Sequence, residues 1–110
     1  MLDKNEVRQI AINYANKVRQ AYSPEQVIIF GSHVNGNPHE DSDIDIAVIF
    51  DIVEGNWLET WGDLVSLREG ISYSIEAHML DETCNRSGFL DHIRETGEIL
   101  YEKGRSITPA

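Results

Sequence analysis

Residues 28–50 read IIFGSHVNGNPHEDSDIDIAVIF, and the reading of the whole chain turns on them. An apolar run, Val27 to Phe30, stops at Gly31-Ser32; ten intervening residues lead to Asp43 and Asp45, and a second apolar run follows from Ile46 to Phe50. Side chains alternate faces along a strand, so residues two apart point the same way. Asp43 and Asp45 therefore share one face of a predicted strand, Ile44–Phe50, while Ile44, Ile46 and Val48 share the other. Two carboxylates held side by side repel each other unless positive charge sits between them. A hard divalent cation with oxygen ligands resolves that repulsion, and Mg²⁺ brings phosphate chemistry with it.

Gly31-Ser32 supplies the complementary half. A glycine directly after a buried strand lets the backbone turn sharply and come close to a ligand. Ser32 can cap a following helical turn, leaving free N–H groups suited to a phosphate oxygen. This is not the P-loop of the NTPases, since no Gly-Lys-Ser/Thr follows. Taken singly, Asp-x-Asp also suits a solvated strand edge and Gly-Ser an ordinary turn; their combination at the ends of two apolar strands is far more specific.

With Gly31-Ser32, ten intervening residues and Asp43-Ile44-Asp45 in place, the chain resembles the minimal nucleotidyltransferase (MNT) domains of the DNA polymerase β superfamily. Gly36 and the run Ser42-Asp43-Ile44-Asp45 share the resemblance, which extends loosely over the whole chain. Many members carry Arg after the Gly-Ser; here those positions are His33-Val34-Asn35. The resemblance implies an α/β (α+β) fold of the polymerase β-like nucleotidyltransferase type, a short mixed sheet with helices packed mainly on one face.

The 110 residues are read as a single domain over 1–103 with a flexible tail at 104–110. No apolar run approaches the roughly 20 residues that span a bilayer, and the N-terminus does not read as a secretory signal. A lone cysteine, Cys84, fits a reducing cytoplasm and a small residue without chemistry. The net charge of −10 argues against nucleic-acid binding, which needs a basic face. Only nine Lys and Arg are present, and none lies between Arg19 and Arg68. A nucleotide bound here must be neutralised by metal ions, backbone N–H groups, a residue from elsewhere in the fold or a partner.

Val7, Ile10, Ala11, Tyr14, Val18 and Ala21 recur at helical spacing and predict a first helix from about Asp3 to Tyr22, ended by Ser23-Pro24. Val27–Phe30 reads as a buried strand and 35–42 as a turn-rich loop. Trp57 to Glu69 predicts a helix with Gly70 near its end; its two tryptophans fit a core or a subunit contact better than nucleotide stacking. The alternation from Ile71 to Leu80 predicts a strand with Ile71, Tyr73, Ile75, Ala77 and Met79 on one face and Glu76 and His78 on the other. Ser87 can cap a last helix that Gly97 stops, after which Ile99–Tyr101 docks as a short segment.

Phosphoryl chemistry with two metal ions calls for a third acid, to share an ion or take a proton. Glu76, on the polar face of the third strand, is the candidate, although a solvent-facing edge residue reads the same way. The resemblance selects the same position, where the family most often has Asp. His33 and His78 read as loop and surface residues that could touch the site, and His39 and His92 have no role assigned. Catalytic residues are thus Asp43, Asp45 and Glu76; nucleotide-binding residues Gly31, Ser32, Asp43 and Asp45; metal ligands Asp43, Asp45 and Glu76, for two Mg²⁺ ions. The resemblance implies AMP transfer from ATP, with a HEPN-domain toxin as protein partner, in a homo- or hetero-oligomer. A contact-only binding module and a small-molecule, aminoglycoside-like adenylyltransferase are the alternatives.

Overall fold

A computed structural model describes residues 4–31, 43–53, 55–83 and 88–104. Among them the elements run α1 (Lys4–Ala21), β1 (Gln26–Phe30), β2 (Ile44–Phe50), α2 (Trp57–Ser66), β3 (Ile75–Asp81), α3 (Phe89–Thr96) and β4 (Glu98–Glu102). The four strands form one mixed sheet in the order β3-β2-β1-β4. β1 is antiparallel to both β2 and β4, while β2 and β3 are parallel. A parallel pair cannot be closed by a hairpin, and α2 lies in the crossover between its two strands.

The core explains the near-continuous apolar reading of β2. Ile44, Ile46, Val48 and Phe50 pack with Val7, Ala11, Tyr14 and Val18 of α1 and Leu64 of α2. Ala47 and Ile49, on the opposite face, pack with Ile28 and with Leu90 and Ile93 of α3. A strand covered on both sides has no polar face to show except at its ends. Two of the three helices therefore lie on one face of the sheet and the third on the other, in agreement with the expected mixed sheet.

Helix α1 presents its apolar stripe inward, and the Tyr14 hydroxyl at its centre donates to the Leu64 carbonyl of α2. Burial pushes this phenol well above its usual pKa, so it acts as a neutral donor. α2 begins at Asn56, whose side-chain oxygen accepts from the Glu59 amide at 3.1 Å, an N-cap that satisfies one free donor of the first turn.

Four local expectations change. The second helix ends at Ser66, and the third strand starts at Ile75 instead of Ile71. The amides of Ile71 and Ser72 both donate to the Arg68 carbonyl, and the Ser74 amide donates to Ser72 Oγ, so this segment spends its donors locally. The Arg68 guanidinium then donates to the Ile75 carbonyl at 3.2 Å and covers the Tyr73 ring at 5.6 Å. Tyr73, expected on the core face, is 73% exposed. The segment 99–101 is part of a full strand, β4, on the outer side of β1. The expected cap Ser87, the loop 35–42, Cys84 and the tail 105–110 lie outside the described residues.

The turn from α3 into β4 is set by space. A Cβ on Gly97 would lie 2.5 Å from Ile28 Cγ2, 2.7 Å from the Ile93 carbonyl oxygen and 2.8 Å from that of Ile29. Its φ of −88° needs no glycine, so the demand is purely steric. Gly97→Ala is expected to lower stability by about 1–3 kcal/mol in urea unfolding. Gly62→Ala, in α2 with nothing within 4 Å of the new Cβ, should raise it by about 0.5–1 kcal/mol.

Candidate active site

The parallel register of β2 and β3 decides which side chains meet. Asp45 lies beside Glu76, and Ala47 beside His78. By strand parity Asp45, Glu76 and His78 project from one face, the face opposite α1. His78 Nε2 is hydrogen-bonded to Asp45 Oδ1 at 3.2 Å and stands 3.9 Å from Glu76 Oε1. One ligand atom from each of the three residues lies within 4.8 Å of the others. The side chains of Asp45 and His78 are 24% and 29% exposed, that of Glu76 55%, so the cluster opens to solvent on the Glu76 side.

Two residues at the end of β1 shape this cluster from the other flank. Phe30 pairs with Asp45 in the ladder and sets its ring edge-on to His78 at 5.0 Å, limiting how the imidazole can turn. Gly31 follows with φ +86°, a conformation that side chains disfavour. A Cβ at Gly31 would fall 2.4 Å from Asp45 Oδ2. The glycine is thus required twice, for its backbone and for the room it leaves against the carboxylate.

Asp43 is described and exposed, two residues before Asp45, and lies outside the group of three. Ser32 and His33 lie outside the described residues. Gly31, Asp45 and Glu76 come together; His78, read from the sequence as a surface residue, joins them. Its two-residue spacing from Glu76 was the available signal, but only the strand register shows that it reaches Asp45.

Beyond Glu76 a cavity of about 480 Å³ runs between β3, residues 76–80, and Trp57, Leu58 and Trp61 of α2. These three α2 side chains are 40%, 74% and 45% exposed, so the tryptophans are not core residues. Lys17 donates to the carbonyls of Leu67 and Glu69, and Arg68 to those of Tyr73 and Ile75.

A β-strand pair sets acidic side chains beside a glycine turn, and comparison with known proteins specifies the family. The family described as "Polymerase beta, Nucleotidyltransferase" matches residues 10–106, and the chain belongs to it. The protein adenylyltransferase MntA of Thermococcus cleftensis (strain DSM 27260 / KACC 17922 / CL1) is 35% identical over 51 residues, 46% of this chain and 52% of that protein. The chain thus spans about half the length of this curated relative. A crystal structure from Sulfolobus solfataricus, assigned as a nucleotidyltransferase, superposes with a TM-score of 0.71 at 22% identity, covering 97% of this chain and 90% of that one. A toxin–antitoxin structure with AMP-PNP superposes with a TM-score of 0.59 at 19% identity, covering 94% and 76%. At these identities both structures attest the fold.

The family uses a nucleotide and a divalent metal, and the residues present fit such an ion. Two carboxylates and an imidazole converge, and Gly31, by lacking a Cβ, gives the Asp45 carboxylate its place in that group. No helix among the described residues is long and apolar enough to cross a membrane.

The contact between Gly31 and Asp45 is separable from backbone strain. Gly70 has a similar φ of +80° with nothing within 4 Å of a new Cβ. Gly70→Ala is expected to cost about 1–2 kcal/mol from the left-handed backbone alone, and Gly31→Ala about 1–2 kcal/mol more from the clash. In an Asp45→Ala background the excess at Gly31 should vanish, which a double-mutant cycle in urea measures directly.

Proposed function

We propose that this chain transfers AMP from ATP to a hydroxyl group of a partner protein, a HEPN-domain toxin, in a reaction dependent on Mg²⁺ bound as two ions. The observation that carries the reading is Asp45 held beside Glu76 on adjacent parallel strands, next to the glycine turn, in a chain of the nucleotidyltransferase family. The similarity to a protein adenylyltransferase and the fold shared with a toxin–antitoxin protein support a protein acceptor.

Asp43 and Asp45 hold the metal, with Glu76 as the third acid. When bound, the ions neutralise the triphosphate and polarise the α-phosphate. Gly31 allows the backbone to approach the phosphate oxygens, and Ser32 adds a contact to them. Glu76 takes the proton of the attacking hydroxyl at a carboxylate oxygen. An oxygen–phosphorus bond forms at the α-phosphorus as the bond to pyrophosphate breaks in line. Catalysis is mainly positioning and charge neutralisation. The exposed Trp57, Leu58 and Trp61, beside the open flank of Glu76, are a surface from which the acceptor can approach.

One observation favours a second reading. The span from residue 20 to 67 holds no Lys or Arg, which suits a module that neutralises its partner by contact alone. Incubation with the HEPN partner, ATP and Mg²⁺, followed by intact-protein mass spectrometry, separates the two. Transfer adds one or more AMP groups to the partner. Asp45→Asn should reduce the rate by about a thousandfold or more, since it removes a ligand of the activating ion. A partner that is inhibited yet gains no mass with wild-type protein would leave only the contact reading.

A further inference from the structure

We infer that His78 is itself a metal ligand, so that the ion at Asp45 and Glu76 is held by two carboxylates and one imidazole, and this set prefers Mn²⁺ to Mg²⁺. The inference rests on the proposed reading only for the presence of a divalent ion; it does not require transfer to occur. The separations of His78 Nε2 from Asp45 Oδ1 and Glu76 Oε1 are 3.2 and 3.9 Å. An octahedral ion with bonds of about 2.1 Å sets neighbouring ligands roughly 3 Å apart and opposite ones roughly 4 Å apart. The 3.2 Å separation is near the neighbouring value and the 3.9 Å separation near the opposite one, so an ion can replace the Asp45–His78 hydrogen bond with little movement of either side chain.

The surroundings keep the imidazole there. His78 projects from the same strand face as Glu76, one residue pair further along the β2–β3 ladder, and Phe30 packs edge-on against its ring. Imidazole nitrogen suits first-row transition ions, of which Mn²⁺ is the weakest binder and itself takes oxygen ligands readily, whereas Mg²⁺ keeps to carboxylate, carbonyl and water oxygen. A third strand that offered only carboxylates would lack this bias.

The test uses the intact chain with Mn²⁺ alone, without nucleotide. Electron spin echo envelope modulation should show a nitrogen nucleus coupled directly to bound Mn²⁺ in the wild type and none in His78→Asn. Calorimetry should show the ratio of Mn²⁺ to Mg²⁺ affinity falling by about tenfold or more in His78→Asp, which restores an all-oxygen set. Circular dichroism establishes that both variants are folded. Absence of nitrogen coupling in wild type, coupling that survives in His78→Asn, an unchanged affinity ratio, or no Mn²⁺ binding would each overturn the inference. Nitrogen coupling from His78 in a protein that transfers no AMP would keep it and discard the proposed reaction instead.

Discussion

Everything at the site depends on the register that sets Asp45 beside Glu76 across the parallel strands β2 and β3. Neighbouring carboxylates oppose that arrangement, by about 1 kcal/mol where water screens them and by several times that at lower effective dielectric. The core supplies what the site costs. Ile44, Ile46, Val48 and Phe50 are buried on one face of β2, and Ala47 and Ile49 on the other. A slip of one residue would exchange the faces and drive Asp45 into the packing around Leu64 and Tyr14. The repulsive pair is thus held in place by apolar contacts that cannot move without exposing themselves.

Gly31 ties the second strand to the first. Its left-handed backbone ends β1 where Asp45 needs room, and any Cβ would collide with the carboxylate. Phe30 completes the arrangement from the same strand end, with its ring against His78. Three strands therefore contribute to one small polar patch, and none of the three builds it alone.

The stretch Ile28–Phe50 carried the fold because its two strands are strongly apolar and its polar residues fall at strand ends. Parity alone placed Asp45 and Ile46 on opposite faces, and parity with the family resemblance singled out Glu76. His78 was harder: its proximity to Asp45 depends on which rung of β3 meets which rung of β2, a long-range fact that no local pattern encodes. The alternation from Ile71 to Ser74 misled for the opposite reason. Arg68 and Ser72 satisfy that segment's backbone locally, so an alternating sequence forms a turn and Tyr73 faces solvent. The exposure of Trp57 and Trp61 was also hidden, because helical spacing reveals a stripe and not what covers it.

The central claim is that acidic side chains work here through a cation, in a chain with no Lys or Arg from residue 20 to 67 to meet a triphosphate directly. Calorimetric titration of ATP into the wild-type chain and Asp45→Asn, each with Mg²⁺ and with EDTA, tests it most directly. The account predicts ATP binding by wild type that is lost in EDTA and weakened at least about tenfold by Asp45→Asn in Mg²⁺. Equal ATP affinity with and without metal, unchanged in Asp45→Asn, would contradict it.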